Sequence, residues 1–433
     1  MTKKIELLAP AGDLERLDTA IYFGADAVYM GGPQLQLRAD SVGFTMETLA
    51  EGISRAHRSR RKAYVTVNSF VYNDEITTLS QYAKALHDMG ADAVIVSDLG
   101  AIATIREAVP ELEVHVSTQA NCLNYAAARV YHDMGAKRIV LAREMSLDEI
   151  KRLRDKIPED LELECFVHGA MCMSYSGRCL LSAFLNNRSG NRGECTQPCR
   201  WSYHLVENNR PGEYFEVEES ENGTAILSSY DLNCIEFLDE LADAGVNSFK
   251  IEGRMKSPYY VGTVVNAYRR AMDGTAPLKK LKKELDCVSH RPYSSGFYFG
   301  KMKQHNPADG GAYQQDCTFV GVVQECWDGK IRVEQRNRFR IGDELEVVSP
   351  HSLGESFYVD ELVDEDGFEL MSASRPQEMV EMPCSLDLQY GDILRRREVP
   401  LEDENEEESG SNKDEQRLIE ELNEELGGGF DFM

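Results

Sequence analysis

Up to about Pro277, the apolar and polar positions alternate between two rhythms. Stretches with apolar residues three and four apart end in Gly-Ala-Asp or a close variant, and a short β-branched apolar run follows. The phrase occurs as FGADAVYMGG (23–32), MGADAVIVSD (89–98), MGAKRIVLARE (134–144) and AGVNSFKIEGR (244–254). The glycine suits a left-handed helix C-cap. The short apolar run suits a parallel strand buried on both faces. IELLAPAG, KAYVTVN, LEVHVSTQ and LELECFVHG bring the strand-like runs to eight, and helical patterns such as EITTLSQYAKALHDMG lie between them. Alternating strands and helices predict a parallel sheet with right-handed crossovers. Eight such units in roughly 250 residues predict an α/β fold, a (β/α)8 TIM-like barrel. A doubly wound open sheet is the alternative, but no Gly-rich dinucleotide fingerprint follows any strand.

The seventh strand ends near His168 and the eighth begins near Ser248, so a long insertion follows strand seven. It holds two strand-like runs, WSYHLVE and EYFEVEE, around the turn NNRPG. An excursion after a strand lies on the C-terminal face of a barrel, where active sites sit. Beyond PYYVGTVVNAYRRAMDG, a Lys-rich linker leads through SHRPYSSGFYFG to short alternating runs broken by DG and GD turns, the texture of a small C-terminal all-β barrel domain. The expected boundaries are 1–285 for the barrel, 286–313 for the linker, 314–398 for the β domain and 399–433 for an acidic tail, expected to be disordered.

Charge narrows the partners. The chain carries a net charge of −27, of which −11 falls after Pro400 and −16 on the rest. This argues against a general nucleic-acid coat and leaves room for one local basic groove. The N-terminus MTKKIELLAPAG does not read as a secretory signal, and no run approaches a membrane span, so no membrane partner is expected. The expected location is cytoplasmic, where thiols stay reduced and a disulfide framework is the weak reading.

Five of the eleven cysteines then stand out. GAMCMSYSGRCLLS holds Cys172 and Cys179, RGECTQPCRW holds Cys195 and Cys199, and Cys234 precedes the last barrel unit. Cys165 should face the helices, and Cys287, Cys317, Cys326 and Cys384 read as packing residues. The five could be ordinary buried thiols, but their gathering at one barrel end favours metal. Only Cys195 and Cys199 have zinc-like spacing; irregular spacing suits an iron–sulfur cluster better. A Cys–His nucleophile is also conceivable, with His168 four residues before Cys172, although no third orienting group is identifiable. Neither His-Glu-x-x-His nor Gly-x-Ser-x-Gly occurs.

ECFVHGAMCMSYSGRCLLS, NRGECTQPCRWSY and FKIEGRMKSPYY together resemble the signature of the collagenase-like peptidase family U32; LLAPAG, AVYMGG, VHVSTQANCLN and LAREMSLDEI agree. The resemblance covers all but the tail. It implies a 4Fe-4S cluster on Cys172, Cys179, Cys195 and Cys234, with Cys199 an extra candidate. A barrel with one β domain, at this length, resembles the members that hydroxylate the tRNA wobble uridine to 5-hydroxyuridine without molecular oxygen and are linked to prephenate. The alternatives are a U32-type peptidase and a cluster-bearing accessory subunit of another hydroxylase, for which the acidic tail would contact a protein partner.

Strand alternation sorts the side chains at the barrel mouth. His115, Ser117 and Gln119 of strand five, Glu164 and His168 of strand seven, and Lys250 and Glu252 of strand eight should face inward, with Asn68, Asp98, Arg143 and Arg254 at strand ends. The expected catalytic set is His115, His168, Lys250 and Glu252, the histidines carrying protons. Arg143, Lys250 and Arg254 would hold a small dicarboxylate; Asn68 and Gln119 complete the substrate site. Arg188, Arg192, Arg200 and Lys256 would grip tRNA phosphates, with Trp201, Tyr175 or Tyr230 stacking a base.

Overall fold

Gly24, Gly90, Gly135 and Gly245, the glycines of the repeated phrase, all adopt positive φ, between 88° and 104°. Each releases its chain from a helix into a strand, which no side chain with a Cβ does without strain. The computed structural model describes residues 5–37, 43–172, 174–200, 205–206, 214–215, 230–300 and 313–398.

The first seven strands are β1 (Glu6–Ala11), β2 (Ala27–Gly31), β3 (Lys62–Val67), β4 (Ala93–Val96), β5 (Glu113–Val116), β6 (Ala136–Val140) and β7 (Glu162–Ala170). Helices α1 (Leu14–Tyr22), α2 (Met46–Arg58), α3 (Asn73–Asp88), α4 (Leu99–Ala108), α5 (Tyr125–Asp133) and α6 (Leu147–Arg154) alternate with them. The insertion contributes α7 (Leu181–Asn186), the short pair β8 (Leu205–Val206) and β9 (Tyr214–Phe215), and β10 (Asp231–Asn233), which runs antiparallel to β7. After α8 (Leu238–Asp243), β11 (Ser248–Ile251) is the eighth barrel strand. It pairs in parallel with both β7 and β1, closing the ring and excluding the open sheet. Side chains of Asp13, Thr45, Asp98, Asn124 and Ser146 cap the N-termini of α1, α2, α4, α5 and α6, each worth about 1 kcal/mol. Leu8, Ala27, Tyr29, Tyr64, Ala93 and Ile95 form an apolar cluster inside the ring, separate from the main core between strands and helices.

Past β11, α9 (Pro258–Asp273) covers the β1 and β7 side of the barrel. The Lys-rich stretch after it is not extended: it forms α10 (Leu278–Asp286), with Leu281 and Leu285 buried against the main core. The lysines on its outer face hide a four-residue apolar spacing. The C-terminal region is antiparallel, with seven strands in one sheet around a core of Val320, Val323, Leu345, Val380 and Leu394. It packs on the barrel through Tyr259 stacked on Phe319 at 5.3 Å and through Arg270, which donates to the carbonyls of Ser349, Pro350 and Ser352. The acidic tail and Trp201 lie outside the described residues. Among the described residues, no helix is long and apolar enough to cross a membrane.

Candidate active site

A layer of buried charge crosses the barrel interior. Glu164, fully buried, accepts from Lys250 Nζ at 3.0 Å and from Arg138 at 3.0 Å. Arg138 also pairs with Glu6 at 2.5 Å and Glu162 at 2.8 Å, and Tyr64 donates to Glu6 at 2.7 Å. Burial pushes the Glu164 carboxyl up, but the charges of Lys250 and Arg138 outweigh it and hold the group below its ordinary value. Arg138 was absent from the expected site. The signal for it is the β6 alternation, which turns Arg138 to the same inner face as Val140.

Above this layer, at the C-terminal end of the strands, a cavity of about 420 Å³ opens. Lys250, Glu252, Arg254, Asn68, Gln119 and Arg143 all line it. Lys250 Nζ stands 4.4 Å from the Tyr29 ring centre. The Tyr29 hydroxyl donates to Glu252 at 3.2 Å, and Arg254 donates to Thr66 Oγ1 at 3.0 Å. Arg143 donates to the Ala170 carbonyl at 3.1 Å with its guanidinium 5.2 Å from the centre of the Phe166 ring. Asn68 Oδ1 is buried without a hydrogen-bond partner, an acceptor poised for a ligand.

The same cavity is lined by Cys172, Cys179, Cys195 and Cys199. Three of their sulfurs accept the backbone N–H two residues on: Cys172 from Ser174 at 3.4 Å, Cys179 from Leu181 at 3.3 Å and Cys195 from Gln197 at 3.4 Å. Such donors stabilise thiolates and are the outer contacts a metal–sulfur centre uses. This donor set fits a 4Fe-4S cluster: four cysteines line one space, and three of their sulfurs already accept a backbone N–H. Asn191 pins the loops together, accepting from the Cys179 N–H at 3.2 Å and donating to its carbonyl at 2.9 Å. Glu144 binds both the N–H and the hydroxyl of Ser176, holding the turn between Cys172 and Cys179 in positive φ at that serine. Neither Glu144 nor Asn191 was predicted from sequence, although Glu144 ends one copy of the repeated phrase at a strand tip.

Five expected residues are placed elsewhere. His168 does not enter the mouth. The β7–β11 register slips between Lys250 and Ile251, so His168 pairs with Ile251 instead of following Phe166 inward. This bulge turns it onto α9, where Nδ1 lies 3.3 Å from the Tyr268 hydroxyl and the ring packs against Tyr260 and Tyr293. Burial lowers its pKa to about 3, so it is neutral. His115 faces inward but sits in the charged layer beneath the cavity, edge-on to Tyr64 at 4.8 Å and lowered by burial. Cys234 is fully buried in the main core, where desolvation and the neighbouring Cys165 raise its pKa well above the ordinary value, and it does not line the cavity; Cys199 is the fourth cysteine that does. One step back along β7 from Asn233, which pairs with His168, Cys234 donates its N–H to Val167, away from the mouth. Arg192 is committed to Glu75 by two hydrogen bonds at 2.8 and 3.0 Å and to the Phe70 carbonyl, so it fastens the insertion to α3. Arg188 is half-buried and does not line the cavity.

Residues 12–307 match the model of peptidase family U32, and residues 315–395 match that of the peptidase family U32 C-terminal domain. The chain is 38% identical over 406 residues to tRNA hydroxylation protein P1 of Bacillus subtilis (strain 168), covering 92% of this chain and 96% of the relative. It is 36% identical over 444 residues to tRNA hydroxylation protein P of Escherichia coli (strain K12), covering 91% and 97%. A collagenase of Porphyromonas gingivalis (strain ATCC BAA-308 / W83) is 34% identical over 366 residues, covering 80% and 86%. With both of its folded regions matched in order, the chain belongs to peptidase family U32.

Proposed function

We propose that this protein hydroxylates tRNA, converting the wobble uridine to 5-hydroxyuridine with a 4Fe-4S cluster and without molecular oxygen. The observation that carries the reading is the single cavity shared by four cysteines and a cationic strand-end set of Lys250, Arg254 and Arg143. Near full-length similarity to two tRNA hydroxylation proteins supports the substrate. Cys172, Cys179, Cys195 and Cys199 would hold the cluster, which when bound supplies one-electron chemistry at the cavity wall.

The chain's own residues supply ligand binding and proton transfer, and Lys250 takes part in both. Lys250, Arg254 and Arg143 bind the carboxylates of a small metabolite, with prephenate the candidate the family resemblance supplies. Asn68 and Gln119 offer amide groups for the edge of an inserted base, and Asn68 Oδ1 is free to accept. Glu252, oriented by Tyr29, and Lys250, oriented by Glu164, are the groups placed to move protons. No histidine lines the cavity among the described residues, which weakens the Cys–His peptidase reading. The decisive experiment is nucleoside mass spectrometry of tRNA from cells lacking the protein and any second copy. The proposal expects 5-hydroxyuridine-derived nucleosides to disappear and to return with the wild-type chain but not with Lys250→Ala. Unchanged nucleosides overturn it.

A further inference from the structure

Two thiols outside this site face each other across the seam between barrel and β domain. Cys287 caps the C-terminal end of α10, and Cys317 opens the first strand of the β domain, Cys317–Trp327. Both are buried, and their sulfurs are 2.7 Å apart. Arg397 donates to Cys287 Sγ at 3.3 Å. Arg395, also buried, is held by Glu284 of α10 and by Glu346. A hydrogen bond from Cys317, reinforced by the two arginines, lowers the Cys287 pKa despite burial, while the same bond and burial raise that of Cys317. The anionic form is thus favoured at Cys287 and disfavoured at Cys317, which makes Cys287 the sulfur that meets an oxidant first.

Glu346 lies close enough to complete a three-ligand metal site with the two thiols. Two observations favour a covalent bond instead. Thiolates sharing one tetrahedral zinc stand about 3.8 Å apart, given bonds of about 2.3 Å, and this pair is closer. The Glu346 carboxylate is already occupied by Arg397 at 2.5 Å and Arg395 at 2.8 Å, whose charges oppose a cation.

We propose that Cys287 and Cys317 form an oxidant-induced disulfide that staples the β domain to the last helix of the barrel. The oxidant is a small hydroperoxide, which reaches the seam on a brief local opening. The Cys287 thiolate attacks one peroxide oxygen, giving a sulfenic acid and hydroxide. Cys317 loses its proton to that hydroxide, making water, and its sulfur displaces hydroxide from the sulfenic acid. One thiolate, one thiol and one hydrogen peroxide become one disulfide, one water and one hydroxide, so the sulfurs lose the two electrons the peroxide gains.

The full chain is freed of reductant under argon, treated with hydrogen peroxide, unfolded in acid, alkylated with N-ethylmaleimide and digested without reduction. The expected result is a peptide joining Cys287 to Cys317 in most molecules, with loss of both alkylated forms. The thermal midpoint of oxidised protein should exceed that of reduced protein by several degrees, and Cys317→Ser should abolish the difference. Recovery of both residues alkylated after oxidation overturns the proposal, as does a Cys287 link to a different cysteine. So does stoichiometric zinc in the wild type that is lost from Cys317→Ser. Peptide mapping uses the wild-type chain alone, so it decides even where the variant does not fold.

Discussion

Lys250 Nζ lies 3.0 Å from Glu164 Oε1 inside the barrel, and both side chains are nearly sealed from water. Glu164 divides its charge between Lys250 above and Arg138 beside it, so the cation at the cavity floor is fixed by a partner on another strand. A lysine positioned this way keeps its ammonium aimed at the cavity.

Glu164→Gln leaves Lys250 and Arg138 short of a counter-charge in the interior. The expected loss is about 3–5 kcal/mol of stability at neutral pH, read by urea unfolding. The carboxyl is held below its ordinary value of 4.5 in the folded state, so the unfolded chain takes up this proton first. The pair's stabilisation is complete above about pH 4.5 and drains away as pH falls below it. Glu164→Gln should therefore show a weaker acid destabilisation than the wild type in that window.

His168 gives a second pH signature. Its folded pKa of about 3 lies below the ordinary 6.5, so the unfolded chain binds this proton first. Stability is fully present above pH 6.5 and declines as pH falls toward 3, at about 1.4 kcal/mol per pH unit at most. His168→Gln should flatten the decline between pH 6.5 and 5. A steep wild-type slope retained in the variant would show that another group carries it.

The cluster ligands are separable by iron content. Cys199→Ala, purified without air, should lose most of its iron and sulfide and its visible absorbance. Cys234→Ala should keep them, with a stability loss of about 1–2 kcal/mol from a small buried cavity. The reverse pattern would return Cys234 to the ligand set.

Arg192 should behave as a fastener. A double-mutant cycle of Arg192→Ala with Glu75→Ala should give a coupling of about 1 kcal/mol. Arg192→Ala should also leave the salt dependence of tRNA affinity close to that of the wild type. A slope shallower by about one would restore Arg192 as a phosphate contact.

The barrel was legible because its signals are local and repeated. Gly24, Gly90, Gly135 and Gly245 mark helix ends by backbone chemistry alone, and the apolar runs after them can only be buried strands. Alternation likewise placed Lys250, Glu252 and the outward-facing Cys165, since side-chain direction along a regular strand has period two; Gln119 reaches the cavity from the helical turn Thr118–Ala120, past the end of β5. That rule fails where a strand is irregular. One slipped residue in β7 sent His168 to α9, and nothing in LELECFVHG announces a bulge. The family resemblance names Cys234 as the fourth ligand with Cys199 an extra candidate, and chain distance across an insertion does not fix which sulfur faces inward. Arg192 reads from sequence as a free loop cation, and only the fold brings Glu75 from α3 to neutralise it. Backbone preference and periodicity are written in neighbouring residues; pairing across strands, loops and domains depends on which distant residues the closed barrel makes adjacent.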